Sequence, residues 1–289
     1  MKIVLVHGRN QGRRDPDELR EEWCAALSRG CEEAGIEAPT PADVTLPYYG
    51  DLFDRMVEAA TAPLADEIAA LGAAQVDSPY LEFRAALIEE VRAGAGITDT
   101  QVRSELSPDD QRVGPSQHAW VHGILRALDK YMPRMADGAV DLFTRDMWVY
   151  LSSSHVRDEV DSLVGRAIGP DPTVVVGHSV GSVVAYSLLR RVHSHNIPRL
   201  VTLGSPLGLS AIRNYFRPLK FPDGVADWFN GYDERDLIAL HGLGPELFPV
   251  EPAVHNDKRL DNATRNCHGV LGYLEKPNVA RAICGLELS

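Results

Sequence analysis

Apolar residues fall in two textures along this chain, short unbroken runs and longer periodic stretches. Ile3–Val6 is an unbroken aliphatic run, the pattern of a strand buried on both faces in a parallel sheet. A polar loop, Gly8 to Arg14, separates it from a helix. Asp15 as N-cap, Pro16 at the first helical position and Glu18 three residues after the cap mark the start. Leu19, Trp23, Leu27, Cys31 and Ala34 then keep helical spacing, and Gly35 ends it. Asp43–Leu46 reads as a second strand, closed by Pro47.

From Gly50 to Val149 the texture changes to Ala- and Glu-rich helical periods with few strand-like runs. Ser78-Pro79 opens a helix running to Arg92, and Pro115-Ser116 opens another to Tyr131. Between them Gly94–Gly114 is polar and rich in Gly, Asp and Pro, so it is expected to be a mobile loop. Strand and helix then alternate again. Helix is expected over Val156–Ile168, Ser182–Val192 and Pro277–Cys284, and strand over Thr173–Val176, Leu200–Leu203 and within Val225–Tyr232. Repeated strand–helix units predict an α/β fold, a mostly parallel sheet flanked by helices. Residues 1–50 and 150–289 form its core, and 51–149 a helical cap inserted over one end of the sheet.

Composition narrows the function classes. In 289 residues, 29 Lys and Arg stand against 41 Asp and Glu, a net charge of −12. Such a surface repels phosphate backbones and anionic lipid, so nucleic-acid binding is not expected. The N-terminus has four consecutive apolar residues, too few for a signal peptide, and no run approaches a membrane span. These features predict a cytoplasmic protein with no stable membrane insertion. Cys24, Cys31, Cys267 and Cys284 have no CxxC spacing and read as free packing thiols.

One segment carries chemistry. Val174-Val175-Val176-Gly177-His178-Ser179-Val180-Gly181-Ser182-Val183-Val184 reads strand, G-x-S-x-G, helix. Such a turn exposes the Ser179 hydroxyl above the carboxyl edge of the sheet, with glycines where helix and strand converge. The helix N-terminus supplies free N–H groups for a developing oxyanion.

Here the chain resembles an α/β-hydrolase of the lipase/esterase type, over residues 1 to about 50 and about 145 to 289. The resemblance implies a Ser-His-Asp triad in the chain order nucleophile, acid, histidine. The segment Trp228 to Ile238 is similar to the family's acid loop and makes Asp236 the acid, with Asp233 the competitor. Asn266-Cys267-His268-Gly269 resembles the histidine segment and makes His268 the base, ahead of His241 and His255. His7-Gly8-Arg9 is similar to the oxyanion loop, so Arg9 and Val180 amides form the oxyanion hole. Gly8, His178 and Ser205, the last in Gly204-Ser205-Pro206-Leu207, are expected to bound the substrate.

The implied activity is hydrolysis of carboxylic esters through an acyl-enzyme, on a small-molecule or acyl-ester substrate. Acyltransfer, peptidase or thioesterase chemistry would use the same triad, and a non-catalytic ligand-sensing module is the reading from another class. The cap's Trp120, Trp148, Phe53, Phe83 and Phe143 suit either an acyl tunnel or a core of their own. No GxGxxG or P-loop indicates a cofactor. His118 and His122, at i and i+4, have no third ligand in the sequence pattern, so no metal is expected. His193 and His195 read as favourable charges at a helix C-terminus.

Overall fold

A computed structural model describes residues 1–9, 11–71, 78–132, 138–192, 196–264 and 266–285. His193 and His195 lie outside these. In chain order the regular elements of the first half are β1 (Lys2–Val6), α1 (Pro16–Ala34), β2 (Val44–Thr45), α2 (Gly50–Leu71), α3 (Pro79–Gly94), α4 (Asp99–Ser104), α5 (Pro108–Val113), α6 (Gln117–Tyr131), α7 (Ala139–Ser152) and α8 (Ser154–Ala167). The second half adds β3 (Thr173–His178), α9 (Val180–Leu189), β4 (Leu200–Leu203), α10 (Ser210–Arg213), β5 (Trp228–Gly231), β6 (His255–Asp257), α11 (Val270–Leu274) and α12 (Pro277–Cys284).

The six strands form one all-parallel sheet in the order β2-β1-β3-β4-β5-β6. The chain starts at β1, moves outward to β2, then returns to build β3 on the other side. The order therefore reverses between β1 and β3, and the crevice at the carboxyl ends of those two strands is where such sheets place ligands.

The unbroken apolar runs are explained by burial on both faces. In β1, Ile3 and Leu5 enter one core with α1, α11 and α12, while Val4 and Val6 enter the other with α8, α9 and the helical segment. In β3, Val174 and Val176 take the first side and Val175 the second. Helices α2, α3, α4, α6 and α7 contribute to that second cluster, so this segment and one face of the sheet share a single core.

Three expectations need correction. Residues 94–114 are not a mobile loop among the described residues. They hold α4 and α5, each capped locally: Thr98 and Gln101 form a reciprocal capping box, and the Ser107 hydroxyl accepts from the Asp110 amide. The capping signals lie in Thr98-x-x-Gln101 and Ser107-Pro108, masked by the polar composition around them. No strand is expected near His255, yet His255–Asp257 pairs with β5 as the edge strand. Its three polar residues show no apolar pattern, so periodicity gives no sign of it. The expected helix after Ser179 also begins earlier, at Val180.

Candidate active site

Ser179 sits between β3 and α9 with φ 54° and ψ −128°, a region that costs a non-glycine residue energy and persists only where the surroundings enforce it. The surroundings are glycines. A β-carbon on Gly181 would lie 2.1 Å from the Val6 carbonyl oxygen, and one on Gly177 would lie 2.6 Å from the Ser182 Cα. Only hydrogen at these positions lets α9 descend onto β1 and β3 closely enough to force the turn. The Val180 amide, in the first turn of α9, has no intrahelical acceptor.

The histidine and the acid arrive from far along the chain. The Ser179 hydroxyl lies 2.8 Å from His268 Nε2, and His268 Nδ1 lies 2.8 Å from Asp236 Oδ2. A carboxylate accepts only, so Nδ1 carries the proton and Nε2 is left as the acceptor facing the serine. Asp236 is fully buried. Burial pushes its carboxyl up, but His268, the Tyr273 hydroxyl at 2.7 Å and the Ile238 amide at 2.9 Å together hold it below the usual carboxylate range. Gly204, with φ 53°, leaves room for this pair: a β-carbon there would lie 3.1 Å from Asp236 Oδ2 and 3.2 Å from His268 Nδ1.

Asp233 is occupied elsewhere. It accepts from the Arg235 side chain and amide and from the Asn262 amide at 2.7 Å, so it ties the acid loop to the segment that leads to His268. His241 turns to Glu90 of α3, 3.2 Å away, and His255 stacks on Phe229 at the sheet edge. Neither meets Ser179.

At the end of β1, Gly8 passes so close to Ser179 that a β-carbon would lie 3.0 Å from the Ser179 β-carbon. The buried His7 ring carries its proton on Nδ1. The Tyr49 amide donates to Nε2, so Nδ1–H donates to the Gly8 carbonyl at 2.8 Å. A trans peptide places that carbonyl and the Arg9 N–H on opposite sides, so gripping one aims the other. Burial lowers the His7 pKa to about 4, which keeps the ring neutral for this task. The Arg9 side chain reaches α7, where Nε donates to the buried Asp146 at 2.7 Å.

A cavity of about 460 Å³ opens over the serine, lined by Gly8, Arg9, Trp23, Phe143, His178 and His268 among others. The helical segment contributes Ala139 and Phe143 of α7 to it; Phe53 and Phe83 are core residues, and Trp120 and Trp148 pack against that core. His178 lines the cavity but is nearly enclosed. Its Nε2–H donates to the His268 carbonyl at 2.8 Å, and burial lowers its pKa to about 3. It therefore steadies the backbone of the histidine loop as well as bounding the cavity. Ser205 departs from expectation. It is 2 % exposed, accepts from the Ser182 hydroxyl at 2.8 Å and from the Leu207 amide, and lies beneath the site instead of on its rim.

Three participants go beyond what the sequence pattern identifies. Tyr273 is visible there as an aromatic near His268, but its bond to Asp236 is not. Asp146 and Gly204 have no local signal. Cys267 is a buried packing thiol whose Sγ meets the Arg235 carbonyl. His118 and His122 pack edge to face, and no third metal-ligating side chain joins them among the described residues. No helix among the described residues is long and apolar enough to cross a membrane. No protein-family description matches this chain. Nor does any curated protein sequence match it.

Proposed function

We propose that this protein is a serine ester hydrolase of the α/β-hydrolase superfamily. One observation carries the reading: the unbroken chain of 2.8 Å contacts from the Ser179 hydroxyl through His268 to the buried Asp236, on a strained turn at the carboxyl edge of a parallel sheet. In this reading His268 Nε2 takes the hydroxyl proton as Ser179 Oγ attacks the ester carbonyl. Asp236 holds the tautomer and stabilises the imidazolium. The Val180 and Arg9 amides receive the oxyanion. His268 then protonates the departing alkoxide, and water repeats the sequence to release the acid. The apolar wall of Trp23, Phe143 and Ile238 suits the acyl group.

Two measurements test this. A fluorophosphonate should label the protein stoichiometrically at Ser179, and Ser179→Ala should abolish labelling. On p-nitrophenyl esters of graded chain length, Ser179→Ala should lose about 10⁶-fold in kcat. A folded wild-type protein that resists the probe and hydrolyses none of the esters would reject the proposal in favour of a ligand-sensing module.

A further inference from the structure

Helix α9 begins at Val180, directly after Ser179, and ends at a second concavity. This cleft, about 390 Å³, lies between the end of α7, the first turn of α8, the last turn of α9 and residues 215–220. It shares no lining residue with the cavity over Ser179. Four cations line it: Arg157 of α8, Arg190 and Arg191 just past α9, and Lys220. Arg190 and Arg191 face the negative pole of α9, which explains their sign. Arg157 and Lys220 come from other elements, and the helix dipole does not account for them.

Neutralisation of these charges is incomplete. Arg191 pairs with Asp158 and with the buried Asp161. Arg157 instead donates to the Leu151 carbonyl at 2.8 Å, and Arg190 donates to the carbonyls of Phe216 and Pro218 at 2.9 and 2.8 Å. Carbonyls satisfy N–H groups but carry no net charge. Arg157, Arg190 and Lys220 make no ion pair with any described residue. Of the four cations lining the cleft, Arg191 alone is ion-paired with described carboxylates, Asp158 and Asp161, in a protein of net charge −12.

Arg190 and Arg157 are also held in place. The Arg190 guanidinium packs 5.3 and 5.5 Å from the ring centroids of Tyr186 and Phe216. A guanidinium carries five N–H donors, so with two and one engaged, about three remain on Arg190 and about four on Arg157. Cationic donors without ion pairs around a concavity are what a phosphoryl group, with a charge of about −2 near neutral pH, needs. Tyr215, 43 % exposed, offers an aromatic ring at the edge of the same cleft.

We propose that this cleft binds a small organic phosphate, its phosphate monoester on Arg157, Arg190 and Lys220 and its apolar or aromatic body against Tyr215. The site is independent of the ester-hydrolase reading. Calorimetric titration of the full chain with inorganic phosphate and with AMP, at ionic strength fixed by chloride, tests it. Both should bind saturably, AMP more tightly. The double variant R157Q/K220Q should weaken both at least about tenfold while the thermal melt and circular dichroism stay those of the wild type. Y215A should weaken AMP several-fold and leave phosphate unchanged. Absence of saturable binding at millimolar ligand, or affinities equal in wild type and R157Q/K220Q, would overturn the proposal. Equal AMP affinity in Y215A would overturn the placement of the ligand's body.

Discussion

The elbow around Ser179 and the paired loops carrying Asp236 and His268 hold the same three-residue network by opposite means. The elbow is rigid through backbone proximity: glycines at 177 and 181 remove every atom that would keep α9 off the sheet, and Ser179 is forced to positive φ. The loops are rigid through side chains. Asp233 grips Arg235 and the Asn262 amide, Tyr273 bonds both Asp236 and the Asp233 amide, and Asn266 accepts from the His268 amide. Excluded volume fails completely when it fails, whereas a hydrogen-bond network loses its members one at a time.

That contrast sets an order of effects. Gly181→Ala should be the most severe, because its β-carbon meets two backbone oxygens, 2.1 and 2.5 Å away, that no side-chain rotation can move. Little folded protein should be recovered, read from soluble yield and thermal melt. Yield and melt equal to the wild type would show that the sheet and α9 can separate at small cost.

On the loop side, Asp236→Asn should leave the fold intact and lower kcat about 10⁴-fold, since the amide no longer enforces the His268 tautomer. Asp233→Asn, three residues away, should act on stability instead. Losing the pair with Arg235 and weakening the bond from Asn262 should cost about 1–3 kcal/mol in urea unfolding, with kcat within tenfold of wild type. If the two variants exchanged phenotypes, the assignment of the two carboxylates would be reversed.

The effect smallest per residue is a pH dependence. His7 and His178 are held neutral by burial, with folded pKa values of about 4 and about 3. The unfolded chain takes up their protons as pH falls below about 6.5 while the folded chain does not. Their contribution is therefore complete above that pH and declines toward the folded values. Each should lose about 1.4 kcal/mol by pH 5.5. Urea midpoints at pH 7.5 and 5.5 measure this, and His178→Leu should make the decline shallower.

Much of this molecule is legible in its amino-acid order alone. The apolar runs at 3–6, 173–176 and 200–203, the caps at Asp15 and Ser78, and the G-x-S-x-G between strand and helix are all local. Each rests on residues a few positions apart, and the structure carries them as expected. Resemblance of Asn266-Cys267-His268-Gly269 to the α/β-hydrolase histidine segment points to His268, ahead of His241 and His255, and it is the imidazole within reach of Ser179. The departures are also local in kind. Polar composition hides α4 and α5, the lack of an apolar pattern hides β6, and the resemblance of Gly204-Ser205-Pro206-Leu207 to lipase-like chains suggests a substrate-bounding position that the buried Ser205 does not take.

What no local pattern contains is which distant groups meet. Asp236 and Asp233 differ in partners contributed by residues 235, 238, 262, 268 and 273. Asp146 clamps Arg9 across 137 positions. Arg157, Arg190 and Lys220 gather into one cleft although nothing in their flanking sequence relates them. Periodicity, caps and glycines act through covalent geometry over one or two turns and so are written in order along the chain. Charge pairing and cavity shape act through space, and they exist only once the parallel sheet has brought those positions together.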